Sequence, residues 1–330
     1  MTNLRRRTMI VPLAIALVTA CSASSEPMGG ASGGSSGESG GAGGGTGGTP
    51  GGSGGAGGTM AGNGTGGTVG ANGTGGTAGA SGTGGASGAG GALAHFSFFA
   101  TSLKAMRMLS GNENGFGGDL HYGQANGLAG ADMICSDIAE MSMPGSSAKQ
   151  WRAFLSTVSN PSQVNAKDRI GTGPWYDRTG RLIASTLTAL LMQRPGDASA
   201  AIRNDLPNEN GIANHNPDGT GQVDNHDFLT GTGTDGNLYK PSSGGMGPTR
   251  AGSLTATCYD WTSNMQAANM GPWCGHSWGA QSGQDWKSSL AEGGCGAGVN
   301  LIEMGGPQRG VYTVGTGGGY GGIYCFALTP

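Results

Sequence analysis

Charge is scarce in this chain. Asp, Glu, Lys and Arg make up 11% of its 330 residues, and aromatic residues only 6%. The 17 basic residues stand against 20 acidic ones, a formal net charge of −3, and form no basic stripe. Nucleic-acid binding therefore has no electrostatic support. The apolar run Met9–Val18 is about ten residues, where a membrane-crossing helix needs about 20. No CxxC pair occurs, so a cysteine-based metal site has little to build on. HExxH is absent too, and no local motif supports a nucleophilic cysteine. Glycine is the abundant residue, with 72 copies.

Three arginines, Arg5 to Arg7, precede the apolar run, and Val18-Thr19-Ala20-Cys21 follows it. A signal-peptide core runs about 7–15 residues, so length favours a cleaved signal over a span. The order of charge, short apolar core, small residues and cysteine resembles a bacterial lipoprotein signal. On that reading residues 1–20 are removed and Cys21 is lipidated, where palmitate or a similar chain anchors it. The plainer alternative is a secretory signal cut nearby, with Cys21 incidental. The position of the cysteine directly after small residues favours lipidation. Acyl chains contribute about 0.8 kcal/mol per buried CH₂, and two or more hold stably. By likeness to such lipoproteins, Ser22 lacks the aspartate that retains them at the inner membrane. The expected location is the bacterial cell envelope, at the outer membrane, facing the surface or the periplasm. Cleavage removes three basic residues, leaving 14 against 20 acidic ones, a charge of −6.

Residues 21–92 read as a lipidated N-terminus and a Gly/Ser/Thr-rich linker. Between 29 and 92 the one charge is Glu38. Such a segment buries too little surface to offset its ordering entropy, so disorder is expected. The stretch Asn63–Ala71 is repeated at Asn72–Ala80 and Ser81–Ala89. Calcium-binding β-roll repeats need an aspartate and a large apolar residue per unit, which these lack. Collagen is excluded because glycine does not fall at every third position. As a Gly-rich coil, some 64 residues would span roughly 40–50 Å, the reach of a spacer.

From about Leu93 to Pro330 the composition changes. All six tryptophans, all seven phenylalanines and five of the six cysteines lie there. This stretch supports one domain with a real core. Phe96–Ser102 is a strand candidate. Gly127–Met141 reads as a helix, with Leu128, Ala131, Cys135, Ile138 and Ala139 on one face. Ser147–Thr157 reads as a second helix with Trp151, Phe154 and Leu155 as its buried stripe. Trp175–Ile183 has hairpin chemistry around Asp177-Arg-Thr-Gly180. Short β-segments are expected near Asp227–Thr232, Ala256–Ser263 and Gly322–Leu328. Early helices and late strands indicate an α+β fold.

Beyond Cys21 there are Cys135, Cys258, Cys274, Cys295 and Cys325. In an exported protein disulfides are the first expectation, and an odd count leaves one thiol over. Four paired cysteines allow three connectivities, and sequence alone does not choose among them. The spacing suggests a nested pattern, Cys135 with Cys325 and Cys258 with Cys295, with Cys274 unpaired.

Seven segments in order carry a resemblance: Phe98-Phe-Ala-Thr-Ser102, Gly127-Leu-Ala-Gly-Ala-Asp-Met-Ile-Cys135, Trp151-Arg-Ala-Phe-Leu-Ser156, Asp168-Arg-Ile-Gly-Thr-Gly-Pro-Trp-Tyr176, Asp227-Phe-Leu-Thr-Gly231, Cys258-Tyr-Asp-Trp-Thr-Ser263 and Tyr324-Cys-Phe-Ala327. Together they resemble bacterial surface proteins with a C-type-lectin-like domain of the endostatin kind. The resemblance covers nearly all of residues 96–328. It implies two helices flanking a small twisted antiparallel sheet, with long loops to one side. It also implies paired N- and C-terminal strands and nested disulfides joining the first helix to the last strand. Lectin activity does not follow from fold alone.

Calcium-dependent lectins of this family use Glu-Pro-Asn and Trp-Asn-Asp triplets. The nearest matches here, Leu206-Pro207-Asn208 and Trp261-Thr262-Ser263, lack the carboxylates. The richest polar loop holds Glu209, Asn214, Asn216, Asp218, Asp224, Asn225, Asp227 and Asp235, candidates for ligand or calcium binding, since calcium takes about six to eight oxygens. An EF-hand register from Asn214 ends on Asn225, where a glutamate is needed, so that motif fails. The plainer reading is a turn-rich loop whose Asn and Asp side chains cap turns. His215, His226 and His276 are scattered, against the three or four converging ligands that zinc needs. Trp273, Trp278 and Trp286 are either a sugar-stacking surface or core cover.

These readings point to a non-catalytic binding module for glycan or protein ligands, held at a membrane by its lipid. A structural envelope protein without a specific ligand is the alternative. An enzyme on a C-type-lectin-like fold is the third; formylglycine-generating types need a reactive cysteine pair in a motif that does not occur here.

Overall fold

A computed structural model describes residues 95–215, 225–241, 253–302 and 310–329. The signal, Cys21 and the linker lie outside the described residues, as do Asn216, Asp218 and Asp224. The described part is a mixed α+β domain. Among the described residues no helix is long and apolar enough to cross a membrane.

Strand β8, Gly319–Ala327, organises the domain, and all nine of its residues are buried. Strand β1, Phe98–Ala100, pairs with it antiparallel, setting Phe99 opposite Cys325. Strand β2, Trp151–Ala153, pairs with the same end of β8, so it lies on the edge opposite β1. Strand β5, Asp227–Leu229, runs parallel to the first half of β8. Strands β6, Trp273–His276, and β7, Leu290–Ala291, extend the sheet antiparallel beyond β5. The paired terminal strands are those expected. The sheet is mixed rather than wholly antiparallel, because β5 lies alongside β8 in the same direction. The hairpin of β3, Trp175–Tyr176, and β4, Leu182–Ala184, forms as expected. Asp177 Oδ1 accepts from the backbone N–H groups of Thr179 and Arg181 across its turn, and Gly180 takes φ +82°.

Helix α1, Leu103–Ser110, follows β1 at once. Helix α2, Gly127–Ser142, begins at Asn126, whose side chain accepts from Ala129 N. Its buried face includes Leu128, Ala131, Ile134, Cys135, Ile138 and Ala139. Two glycines on it are required by close backbone approach. A Cβ on Gly127 would stand 2.1 Å from Trp261 O, and one on Gly130 would stand 1.9 Å from Leu120 O.

Two sequence expectations are corrected. Ser147–Thr157 is no helix: a 3₁₀ turn at Ser146–Lys149 ends where Gln150 turns left-handed, and β2 follows. Trp151 and Ala153 point inward while Arg152 reaches Asp132 at 3.6 Å. Pairing with the free edge of β8 outweighs the helical spacing of Trp151, Phe154 and Leu155, which are buried all the same. Ala256–Ser263 is no strand either. Cys258, Tyr259, Asp260 and Trp261 all have φ between 44° and 63° and form a left-handed corner. The Asp260 carboxylate stabilises it by accepting from the backbone N–H groups of Val158, Ser159 and Asn160 at 2.5, 3.0 and 2.9 Å.

The core is aromatic and centred on Phe326, whose ring lies 5.0 Å from Phe98, 5.8 Å from Phe154 and 5.7 Å from Trp175. Disulfides join Cys135 to Cys325 and Cys258 to Cys295. The first closes 190 residues, tying α2 to β8, a loop length worth about 4–5 kcal/mol in the chain-entropy account. Cys274 is free and buried.

Candidate functional site

The chain leaves β5 through a tight loop, 231–240, that is built for rigidity. Thr232 bridges Leu238, and Gly233 N donates to Asn237 O at 2.8 Å. Gly236 takes φ +78°, and a Cβ there would lie 2.9 Å from both Lys167 Cβ and Leu191 Cδ2. From outside, Asn165 Oδ1 accepts from Leu238 N at 3.0 Å, while its Nδ2 donates to Asp168. Tyr239 N donates to Gly231 O at 2.9 Å, closing the loop.

This loop walls a cavity of about 510 Å³, lined among others by Gln163, Asn165, Asp235, Asn237, Tyr239 and Lys240. The Tyr239 ring lies on Trp273, centroids 4.1 Å apart and planes 13° apart. Trp273 is fixed in turn, donating from Nε1 to Ser288 Oγ at 2.9 Å. The Asp235 carboxylate accepts from Asn237 N at 3.0 Å and from Asn237 Nδ2 at 2.5 Å. The backbone N–H of Asn237 holds this carboxyl below its usual range, so Asp235 is an anion at neutral pH. The result is a polar cavity with one fixed aromatic wall, more polar than most small-ligand sites but pairing an aromatic face with placed polar groups as they do.

The other expected site residues disperse. Glu209 turns back to the start of α1: its carboxylate accepts from Ser102 N at 2.9 Å and Ser102 Oγ at 2.6 Å, holding the residue whose Oγ caps the helix at Ala105 N. Asn214 donates to the Tyr320 hydroxyl at 3.1 Å inside the core. Asp227 is buried on β5, opposite His276. Among the described candidates, only Asp235 lines the cavity. Of the three tryptophans, Trp273 backs the cavity wall. Trp278 instead stacks on His215 at 4.0 Å, and Trp286 is wholly buried against Phe154 and Tyr324. No shared tryptophan surface exists. Among the described residues no group of three or more His, Cys, Asp or Glu stands where it could hold a metal ion.

The histidines are structural too. His226 and His276 stack at 4.1 Å, and burial pushes their pKa values down to about 4 and about 3. Burial likewise pushes the Cys274 thiol up, and the nearby Glu292 and Asp227 carboxylates add to the effect, so it is no thiolate nucleophile.

Two features escape sequence reasoning. Tyr239 belongs to no motif, although an aromatic after Asp-Gly-Asn-Leu follows a turn signal. Gly275-His-Ser-Trp-Gly279 has GxSxG spacing and sits between β6 and a helical turn at Gly279–Ser282. Strand, turn and helix follow in the order of a nucleophile elbow, but the helical turn is only four residues long. Ser277 is fully buried, and its Oγ has no hydrogen-bond partner, so neither a base nor access is in place. A second cavity, about 520 Å³ beside Lys104, Asn208 and Asn225, has no aromatic wall.

No protein-family model matches the chain, and no curated protein gives a significant match to it.

Proposed function

We propose that this chain is a lipid-anchored surface protein, held at the bacterial outer membrane through Cys21. Its glycine-rich linker presents a non-catalytic domain of C-type-lectin-like fold. The domain binds glycan in the cavity beside the 231–240 loop. The observation that carries the glycan reading is the Tyr239–Trp273 stack set against a polar cavity. A pyranose ring has one flat C–H face and a rim of hydroxyls, and it needs both kinds of wall at once. Support for the fold comes from the paired terminal strands and from the disulfide between α2 and β8. Both are features that the seven-segment resemblance implies.

A glycan array probed with the full chain, in a detergent without a sugar head group, tests the function. Binding to a defined set of glycans is expected. Silence across the array would leave a protein adhesin or a structural envelope role. For the anchor, Cys21→Ser should release the chain from the membrane fraction and abolish incorporation of labelled palmitate. Unchanged fractionation would contradict lipidation.

A further inference from the structure

The chemistry of the same cavity goes further than its use, and the inference rests on the glycan reading above. We propose that the 231–240 cavity binds an uncharged hexopyranose directly, through the Tyr239 face and the Asp235 carboxylate, without a bridging calcium ion.

The donor set is the first argument. Calcium takes about six to eight oxygens, commonly from several carboxylates. Asp235 brings the one carboxylate among the described residues lining this cavity. Both of its oxygens already accept a hydrogen bond from Asn237, which fixes their direction. A carboxylate offers about four lone-pair sites, so capacity remains for two hydroxyl donors on adjacent sugar carbons. The other polar side chains of the lining, Gln163, Asn165, Thr234 and Ser288, are amides and hydroxyls suited to neutral partners.

Charge is the second argument. The lining carries one anion, Asp235, and one cation, Lys240. Just behind the lining stand Lys167, which acts on Asp235, and Asp168, which accepts from Asn165. The two anions and two cations balance, so the cavity offers no net attraction to a uronate or to an aminosugar. A sugar carboxylate placed against Tyr239 would also meet the fixed Asp235 anion.

Rigidity is the third. The loop is held at Asn165, at Gly236 and at Tyr239 N before any ligand arrives. Tyr239 is backed by Trp273, which is itself hydrogen-bonded to Ser288. Little ordering remains to be done on binding, which is the condition under which a weak direct contact set suffices.

The test uses the full chain with glucose, galactose, mannose and N-acetylglucosamine as neutral probes and glucuronate and glucosamine as charged ones. Saturation-transfer NMR and titration are run with added calcium and again with EGTA. The expected result is transfer to the C–H protons of at least one neutral probe, with affinity equal in calcium and in EGTA. Tyr239→Ala should weaken that probe about fivefold to tenfold, whereas Tyr239→Phe, which keeps the ring, should bind within about twofold. Circular dichroism and the free-thiol count confirm that both variants fold. Binding that appears only with calcium, or only for a charged probe, would overturn this inference and leave the glycan reading standing. Equal binding by Tyr239→Ala and the parent would overturn the placement of the sugar. Silence of every sugar in both conditions would overturn the inference and the glycan reading together.

Discussion

Two aspartates, Asp260 and Asp235, sit on separate loops of one domain and are used in opposite ways. Asp260 is buried at 1% exposure, and three backbone N–H groups and the Ser159 hydroxyl converge on it. It holds four residues in the left-handed region, a conformation costing about 1–2 kcal/mol each. Asp235 is exposed and is oriented by Asn237, beside an open cavity and an aromatic wall. A carboxylate whose lone pairs are used up by its own chain is part of the fold. One that is oriented by its neighbours and left with capacity is available to a ligand. The same contrast separates Trp286, enclosed in the core, from Trp273 at the cavity.

The sharpest way to break the comparison is to remove each carboxylate in turn. Asp260→Ala leaves three backbone donors in the 158–160 segment without their acceptor. Val158 is half-buried and Ser159 and Asn160 are exposed, so water replaces part of what is lost. At about 0.5–1.5 kcal/mol per hydrogen bond, a loss of about 2 kcal/mol or more is expected in urea unfolding. A change under about 1 kcal/mol would show that the corner is held by Cys258–Cys295 alone.

Acid probes the buried side of the comparison next. His226 and His276 have folded-state pKa values lowered to about 4 and about 3 from 6.5. Below pH 6.5 the unfolded chain takes up protons that the folded chain refuses. Stability is therefore complete above pH 6.5 and falls as pH drops toward 4, by up to about 1.4 kcal/mol per pH unit for each imidazole. Urea midpoints at pH 7.5 and 4.5 check this; equal midpoints would place the ring pair in contact with water. Smallest is the effect of Asp235→Ala, expected to change stability by less than about 1 kcal/mol while weakening sugar binding. A large loss of stability would move Asp235 into the same class as Asp260.

Parts of the fold are legible in the amino-acid order alone. Helix α2 is written in Asn126 and in the Leu128–Ala139 stripe, and the β3–β4 hairpin in Asp177-Arg-Thr-Gly180. These signals are local, made by residues that touch each other. Helix α1 is equally local, bounded by Ser102 and Gly111, but the aromatic strand that precedes it is the stronger signal and hides it. Sequence patterns mislead where distant partners decide. Trp151, Phe154 and Leu155 keep helical spacing, yet an open edge of β8 takes that segment as a strand. The Cys258–Trp261 corner looks extended until Asp260 meets the 158–160 backbone, a hundred residues away. For the site, Asp235 and Trp273 are visible as residue types among other candidates. What joins them is Tyr239, and its stacking on Trp273 depends on strand β6 coming to lie beside β5.

Hydrogen–deuterium exchange of the full chain, with and without a sugar identified on the array, tests the central claim most directly. Slower exchange is predicted at the amides of 233–240 and at Trp273, with no change at the 258–261 corner or in the 208–214 turn. Protection centred on 208–214, with the 233–240 loop unaffected, would contradict the claim.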